Sequence, residues 1–175
     1  MISVDLGCGE LPRNPYNCET LIGVDLHQDN NPNYRQCLLG FEPLPFEDQS
    51  IDRFSAYDVI EHIPRFTWRD GKPINPFLYL MSDIYRCLSQ RGIFYAATPA
   101  YPHAAAFQDP THVNIITDET VYYFCPKNSP PPGEDPNLLL KHCNNYGFRG
   151  KFKLLSQRWQ GVHLIWELEK PEANG

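Results

Sequence analysis

The sequence predicts an α/β fold built around a mostly parallel sheet. Two short apolar runs, residues 2–6 and 21–25, have the β-branched bias of strands that are buried on both faces. Near the other end of the chain, apolar runs at residues 152–159 and 162–168 flank a Gln-Gly pair, which predicts an antiparallel hairpin. The two ends of the chain therefore predict an α/β domain with both parallel and antiparallel strands.

Length, charge and cysteine spacing limit the possible classes of protein. A chain of 175 residues is long enough for one substantial core and short for two, so residues 1–175 are predicted to form a single domain. The formal net charge of −6 gives no general attraction to phosphate groups, so neither nucleic acid nor a membrane is expected as a partner. The six cysteines lack the spacing of a disulfide framework or a zinc site. With no signal-peptide pattern and no membrane-spanning run, the expected location is cytoplasmic.

The first strands are predicted to follow one another closely. The connection between residues 2–6 and 21–25 is short and contains Pro12 and Pro15, so the usual crossover helix is predicted to be truncated. A third strand is predicted near residues 36–39. A fourth is predicted at 51–57, after a turn-like Glu-Asp-Gln-Ser segment.

The clearest helix lies in the middle of the chain. Apolar residues recur at 3.6-residue spacing over residues 76–90, with Asn75 as the predicted N-cap and Pro76 at the first helical position. Gly92 is predicted to end the helix and to lead into a fifth strand at residues 93–98.

Two weaker elements precede the terminal hairpin. Residues 126–136 hold five of the seventeen prolines and are predicted to form a loop. A short helix is predicted around residues 138–144.

A glycine-rich turn follows the first strand directly. Its sequence is Asp5-Leu-Gly7-Cys8-Gly9, and the second strand ends on Asp25. Glycines let a backbone approach a ligand closely, and a carboxylate at the end of the next strand can hold a ribose diol. The pair predicts a nucleotide-type cofactor site, although an isolated turn of this kind can also be a tight connection.

Taken together, five blocks of sequence resemble the class I S-adenosylmethionine-dependent methyltransferases. These blocks are residues 4–9, 23–25, 44–52, 58–63 and 86–92. Their order and spacing cover roughly residues 2 to 100 and are far more specific than a lone glycine turn. The resemblance implies a Rossmann-like sheet of seven strands in the order 3-2-1-4-5-7-6, with strand 7 antiparallel and helices on both faces, the N-terminal helices being truncated.

The resemblance also implies S-adenosylmethionine as the cofactor and the residues that bind it. In such sheets the ligand lies at the carboxyl ends of the strands, where the strand order reverses. The glycine turn would wrap the methionine part, Asp25 would hold the ribose, and the residues after the fourth strand would lie near the sulfonium. The predicted cofactor-binding residues are Asp5, Gly7, Cys8, Gly9, Asp25, Leu26, Ala56, Tyr57 and Asp58.

The sequence departs from the family pattern in two places. The stretch Cys37-Leu-Leu-Gly40 lacks the carboxylate that commonly meets the adenine. The helices before the first strand are absent and the first crossover is short, which predicts an uncovered apolar sheet face. Such a face favours a partner subunit, so a homodimer is expected.

The acceptor side is predicted in the polar loops after the fifth strand, where family members place substrate-binding segments. His112 is the candidate base because an imidazole titrates near neutrality, and Asp109 could orient it. In an equally open alternative, the two residues lock the turn around Pro110. The predicted substrate-binding residues are Glu61, His62, Tyr101, His103 and Asn114.

Glu61 and His62 could instead brace the segment after the fourth strand. No metal site is predicted, because Asp109, His112 and Glu61 lack a tight ligand spacing.

The predicted activity is methyl transfer from S-adenosylmethionine to a small molecule or a glycan-type metabolite. A nicotinamide-dependent oxidoreductase is disfavoured, because Pro12 stands where a GxGxxG motif would have its third glycine. A catalytically silent methyltransferase fold, acting as a binding or assembly subunit, remains an alternative because the first crossover is truncated.

Overall fold

The structure is a computed structural model that describes residues 1–27 and 31–172. Its strands are β1 (Ile2–Leu6), β2 (Thr20–Asp25), β3 (Tyr34–Gln36), β4 (Ile51–Tyr57), β5 (Thr67–Arg69), β6 (Lys72–Ile74), β7 (Leu88–Pro99), β8 (Lys153–Gln160) and β9 (His163–Glu169). Its α-helices are α1 (Pro76–Cys87), α2 (Ala105–Gln108) and α3 (Leu138–Asn145). Short 3₁₀ helices span Ile60–His62 and Thr120–Tyr123.

Seven of the strands form one sheet in the order β3-β2-β1-β4-β7-β9-β8. Strands β3, β2, β1, β4 and β7 pair in parallel, whereas β9 runs antiparallel to both β7 and β8. The prediction of a mostly parallel seven-stranded sheet with one antiparallel strand is confirmed. The order differs from the predicted 3-2-1-4-5-7-6 in the strand numbers, because the unpredicted hairpin β5-β6 lies outside the sheet and takes two of them.

The predicted helix at residues 76–90 is correct at its start and wrong at its end. Pro76 occupies the first turn, but the Asn75 side chain makes no capping hydrogen bond. The helix ends at Cys87, because Leu88 is extended and pairs with Ile51 of β4. Gly92 therefore lies within β7 and does not terminate the helix.

The end of α1 is stabilised by a distant lysine. The Lys170 ammonium donates hydrogen bonds to the carbonyl oxygens of Tyr85 at 2.8 Å and Leu88 at 2.7 Å. These carbonyls belong to the last turn of the helix and its cap, where no intrahelical donor is available. A cation at this end also complements the helix dipole.

One strand boundary was predicted wrongly and one hairpin was missed. The third strand lies at Tyr34–Gln36 and ends where the predicted range begins. The hairpin β5-β6 was missed, although its turn is an Asp70-Gly71 pair with positive φ angles of 51° and 72°. An Asp-Gly pair with this geometry is a strong hairpin signal.

One face of the sheet carries the hydrophobic core. Val4, Phe54 and Phe94 of β1, β4 and β7 belong to one buried cluster, together with apolar residues of α1 and α3. No helix within the described residues is long and apolar enough to cross a membrane.

The opposite face is polar and is covered in part by the connection between β1 and β2. Asp5 pairs in register with Ser55, and alternation places Arg53 and Tyr57 on the same face. Residues 7–19 contain no helix and lie against this face, where the Arg53 guanidinium is 5.4 Å from the centre of the Tyr16 ring.

A loop stands where the first crossover helix would lie, as the predicted truncation of the N-terminal helices implied. The prediction of helices on both faces is met only in part, because the helices of the described residues are few and none lies between β1 and β2. The polar face is also not the bare apolar surface from which a homodimer was expected, so that expectation loses its physical argument and the dimer stays a prediction.

Candidate functional site

The candidate site lies at the edge of the sheet where four neighbouring strands end. Strands β2, β1, β4 and β7 are adjacent and parallel, so their carboxyl ends share one edge. The glycine turn follows β1, Asp25 ends β2, Asp58 follows β4, and Thr98 lies near the end of β7. Ligands of open α/β sheets bind at this edge.

The two glycines of the turn after β1 are needed for different physical reasons. Gly7 has a φ of 62°, and a Cβ there would lie 2.4 Å from Cγ2 of Val59. Gly9 has a φ of 56°, but a Cβ there would meet nothing within 4 Å. Gly7 is therefore required by packing, whereas the open space at Gly9 lets a ligand approach the backbone.

Asp25 is tied to this turn. The backbone N–H of Gly9 donates to Oδ2 of Asp25 at 2.9 Å, and the N–H of His27 donates to Oδ1 at 3.1 Å. Each carboxylate oxygen has capacity for a further hydrogen bond. The half-buried carboxylate can therefore still accept hydrogen bonds from the hydroxyl groups of a ribose.

Apolar surface lies on the far side of Asp25. The N–H of Cys37 donates to the backbone oxygen of Asp25 at 3.0 Å, which places the segment after β3 beside the end of β2. Leu26 and Leu38 are exposed there. Residues 37–40 include no acidic residue, but the Glu42 carboxylate reaches this segment and accepts a hydrogen bond from the Leu38 N–H at 2.8 Å.

Asp5 is buried and holds the connection between β1 and β2. Its carboxylate accepts hydrogen bonds from the N–H of Arg13 at 2.7 Å and from the hydroxyl of Ser55 at 2.6 Å. Burial raises the pKa of Asp5, although both hydrogen bonds oppose that shift. Through these two hydrogen bonds, Asp5 links the end of β1 to the connection that follows it and to β4.

Cys8 packs inside the turn. A Cβ on Gly23 would lie 2.7 Å from its sulfur, so the thiol fills the space that this glycine leaves. Burial raises the pKa of Cys8 to about 11, which keeps the thiol neutral near pH 7.

The residues at the end of β4 and directly after it are fixed by three side-chain contacts. Ala56 is buried, and the ring of Tyr57 lies 5.1 Å from the ring of Tyr95 and 4.6 Å from the Arg13 guanidinium carbon. Asp58 has a φ of 56°, and its Oδ1 lies 2.8 Å from Nε2 of His163. Sequence reasoning missed His163, because it lies on β9, 105 positions away from Asp58 in the chain.

Glu61, His62 and His112 come together beside this edge. One potential ligand atom from each residue lies within 4.8 Å of the other two, and the centres of the two imidazole rings are 4.8 Å apart, edge to face. We call these three residues the acceptor-side cluster. The sequence named all three for the acceptor side but did not group them as one centre.

Glu61 is the buried member of the acceptor-side cluster, with 1% of its surface exposed. Its Oε2 accepts a hydrogen bond from the hydroxyl of Thr98 at 2.7 Å. Its Oε1 has no hydrogen-bond partner within residues 1–27 and 31–172. Burial raises the pKa of the Glu61 carboxyl, and the Thr98 hydrogen bond opposes that shift.

Asp109, which could orient His112 according to the sequence, makes no hydrogen bond to that ring. Its Oδ2 lies 4.0 Å from Nε2 of His112, which is beyond hydrogen-bond distance. Its Oδ1 instead accepts hydrogen bonds from the N–H and the hydroxyl of Thr111, at 2.8 and 2.6 Å. These hydrogen bonds lower the pKa of Asp109 and lock the turn, as the alternative interpretation expected of Asp109.

Through Thr111, Asp109 reaches His62. The Thr111 hydroxyl oxygen lies 3.0 Å from Nδ1 of His62, and the Thr111 carbonyl oxygen lies 3.2 Å from the same nitrogen. His62 is thereby the histidine whose ring the 109–111 turn holds. No sequence spacing signals this link, because it joins two segments that only the fold brings together.

Asn114 is hydrogen-bonded to the residues around Glu61. It is buried, its side-chain nitrogen donates to the Ile60 carbonyl at 2.8 Å, and its side-chain oxygen accepts from Arg65 at 2.6 Å. Its backbone N–H donates to the Glu61 carbonyl at 2.9 Å. Asn114 therefore joins the loop after α2 to the 3₁₀ helix that carries Glu61.

Tyr101 and His103 are exposed and lie outside the acceptor-side cluster. The Tyr101 ring contacts Phe107, with ring centres 6.4 Å apart, and the His103 ring contacts Trp159 at 5.1 Å. Their predicted contact with a substrate stays a prediction.

Two cavities lie elsewhere in the molecule. One, of about 600 Å³, is lined by residues that include Arg65, Phe77 and Tyr123, and one of about 760 Å³ includes Arg69 and Tyr79. Neither is lined by a predicted cofactor residue. Their volume does not outweigh the arrangement at the strand ends, because nucleotide sites on such sheets are open crevices.

Comparison with known proteins gives structural matches only. No protein-family model matches the sequence, and no curated protein is detectably similar to it. An S-adenosylmethionine-dependent methyltransferase of Archaeoglobus fulgidus is 13% identical with a TM-score of 0.57, over 97% of this chain and 86% of that one. A TehB-like methyltransferase of Corynebacterium glutamicum is 12% identical with a TM-score of 0.52, over 98% and 80%.

The cyclase SpnF is also similar, with 12% identity and a TM-score of 0.55 over 98% of this chain and 75% of that one. At such identities the likeness concerns the fold and not the activity. The chain has the Rossmann-like fold of the S-adenosylmethionine-dependent methyltransferases.

Proposed function

We propose that the protein is an S-adenosylmethionine-dependent methyltransferase that acts on a small molecule or a glycan-type metabolite. One arrangement carries the proposal: the N–H of Gly9 binds Asp25, with open space above Gly9, at the edge where the parallel strands end. A backbone that a ligand can approach, beside a carboxylate with remaining acceptor capacity, suits a nucleoside cofactor.

The residues present fit S-adenosylmethionine. Gly7 and Gly9 would face the methionine part, the Asp25 carboxylate would accept the ribose hydroxyl groups, and Leu26 with Leu38 would pack against the adenine. Ala56, Tyr57 and Asp58 would lie toward the sulfonium. The bound cofactor supplies an electrophilic methyl group, so the chain has to align an acceptor in line with it.

The acceptor-side cluster is suited to the proton transfer that the reaction needs. A bond forms between the acceptor atom and the methyl carbon, the carbon–sulfur bond breaks, and a hydroxyl or ammonium acceptor loses a proton. We assign the handling of that proton to the cluster that contains His112, and Asp109 and Thr111 position His62 within it.

The first experiment is a calorimetric titration of the purified chain with S-adenosylmethionine and with S-adenosylhomocysteine, and NAD serves as the control. We expect both sulfur compounds to bind and NAD not to bind. Absence of binding by either sulfur compound would contradict the proposal. Binding followed by transfer of a labelled methyl group, in a screen of small molecules and saccharides, would identify the acceptor.

A binding or assembly subunit is the second candidate. It is favoured by the loop at residues 7–19, which replaces the helix of the first crossover. Cofactor binding without transfer to any acceptor would support this second function, because the fold alone does not imply catalysis.

A further inference from the structure

We propose that Glu61, His62 and His112 form a binding site for a divalent transition-metal ion. The three residues come from two segments, the 3₁₀ helix after β4 and the loop after α2. One potential ligand atom from each lies within 4.8 Å of the others. Two imidazoles and a carboxylate are a ligand set for Zn²⁺, Fe²⁺, Mn²⁺ or Co²⁺.

The spacing requires only a small contraction. Ligand atoms at about 2.1 Å from a tetrahedral ion lie roughly 3.4 Å apart. The ligand atoms of the cluster lie up to 4.8 Å apart. Side-chain rotations that move these atoms by about an ångström would bring them to the distances that one ion requires. The half-buried His62 can make this adjustment more easily than the buried Glu61 or the His112 side chain, which is 8% exposed.

Backbone carbonyls select the histidine tautomers that a metal needs. Nδ1 of His62 lies 3.2 Å from the Thr111 carbonyl oxygen, and Nδ1 of His112 lies 3.3 Å from the Ala106 carbonyl oxygen. A carbonyl oxygen only accepts, and the Thr111 hydroxyl, 3.0 Å from Nδ1 of His62, already donates its proton to Asp109. We therefore assign the proton of each ring to Nδ1. Nε2 of each neutral ring then has its lone pair free for an ion. Metal-binding histidines commonly donate their other N–H in this way.

The carboxylate is the second, independent observation that points to a ligand. Oε2 of Glu61 is held by the Thr98 hydroxyl, while Oε1 is buried and, within the described part of the chain, has no hydrogen-bond partner. A buried oxygen without a partner is costly. An ion bound to Oε1 would remove that cost.

The surroundings of the acceptor-side cluster favour positive charge. A further carboxylate lies beside the three ligands, with Oδ2 of Asp109 4.0 Å from Nε2 of His112. Its negative charge favours a cation at this place.

The site would leave coordination positions open. Three protein ligands are typical of catalytic metal centres, in which the remaining positions take water or substrate. An acceptor oxygen bound there would lose its proton more readily. This use in catalysis rests on the proposed methyl transfer, but metal binding itself does not.

The test uses the full chain after treatment with EDTA and removal of the chelator. Co²⁺ is added and followed by visible absorption, and Zn²⁺ and Mg²⁺ are titrated by calorimetry. We expect one Co²⁺ per chain, with d–d bands and no intense thiolate-to-metal band, since the ligands are nitrogen and oxygen. Zn²⁺ should bind at the same site, and Mg²⁺ should bind more weakly because it prefers oxygen ligands.

Single-residue variants test whether the ion binds to the acceptor-side cluster. His62→Ala and His112→Ala should lose the Co²⁺ bands, whereas His142→Ala, at an exposed position on α3, should keep them. Thr98→Val should weaken binding about 10- to 100-fold, since it removes the hydrogen bond that orients the carboxylate. Circular dichroism checks that each variant is folded.

Three results would overturn the proposal: no Co²⁺ or Zn²⁺ binding by the unmodified chain, a thiolate band, or unchanged binding by both histidine variants. The first two results are measured on the unmodified chain, so the proposal can be contradicted even if a variant fails to fold. S-adenosylmethionine is left out of these titrations. A failure of metal binding is thereby distinguished from a failure of the proposed cofactor site.

Discussion

The hydroxyl of Thr98 donates a hydrogen bond of 2.7 Å to Oε2 of Glu61, and both residues are buried. Thr98 lies near the end of β7 and Glu61 in the 3₁₀ helix after β4, so this contact couples the ends of two adjacent strands. The acceptor-side cluster is thereby fixed to the sheet and not only to loop residues.

Replacing Thr98 by valine should lower the free energy of unfolding by about 1–3 kcal/mol, because a buried carboxylate loses its hydroxyl donor. Urea unfolding measures the effect. Thr20→Val, at the exposed start of β2, is the matched control and should change stability little. Equal stability of the two variants would mean that the hydrogen bond contributes nothing.

Asp25→Asn should weaken the binding of S-adenosylmethionine by about 1.5–3 kcal/mol, the value of a hydrogen bond to a charged group. The asparagine oxygen can still accept the Gly9 N–H that holds the glycine turn, although its amide nitrogen cannot accept the His27 N–H. Calorimetry measures the dissociation constant, with Asp118→Asn at an exposed position as control. An unchanged constant would place the ribose elsewhere.

His112→Ala should slow methyl transfer and leave the affinity for S-adenosylmethionine almost unchanged, because we propose that His112 acts on the acceptor and not on the cofactor. Single-turnover transfer to an identified acceptor, together with a cofactor titration, separates the two quantities. His142→Ala should behave like the unmodified protein. Normal transfer by the His112 variant would remove this residue from the reaction.

Asp5→Asn should change how stability depends on pH. Burial raises the pKa of Asp5 in the folded state, so the folded state binds the proton more tightly than the unfolded state. The stability that this carboxyl contributes is fully present below its ordinary pKa of 3.8 and is lost as the pH rises through the raised folded-state pKa. The variant lacks this titration, so its stability relative to the unmodified protein should increase with pH in that window.

Thermal unfolding of both proteins at a series of pH values measures this difference. Asparagine can accept the Arg13 N–H and donate to Ser55, which preserves the local geometry. A pH-independent difference between the two proteins would contradict the raised pKa.

The sequence predicted the elements that follow simple periodic or turn signals. The strands around Asp5, Asp25 and Tyr57, the start of the helix at Pro76 and the terminal hairpin lie close to where the patterns place them. The end of α1 was missed because pairing between Leu88 and Ile51 overrides helix propensity. Such tertiary pairing leaves no local trace in the sequence.

In the candidate site, too, the features set by local sequence were predicted and those set by tertiary contacts were not. The glycine turn and Asp25 were recognisable because they are fixed by position after a strand. The contacts that define the acceptor side were not, since Thr98 to Glu61 and Thr111 to His62 join segments distant in the chain. Asp109 was assigned to His112 from proximity in sequence, but its oxygen is used by Thr111.

The short connection at residues 7–19 has a consequence for how the chain folds. Parallel strands are normally slow to pair, because a long crossover has to be ordered first. Here β1 and β2 are joined by a short loop, and the entropy lost on closing a loop grows with its length. The Asp5 carboxylate also holds this loop through Arg13. We therefore expect β1 and β2 to pair early and to act as a nucleus on which β4 and β7 assemble.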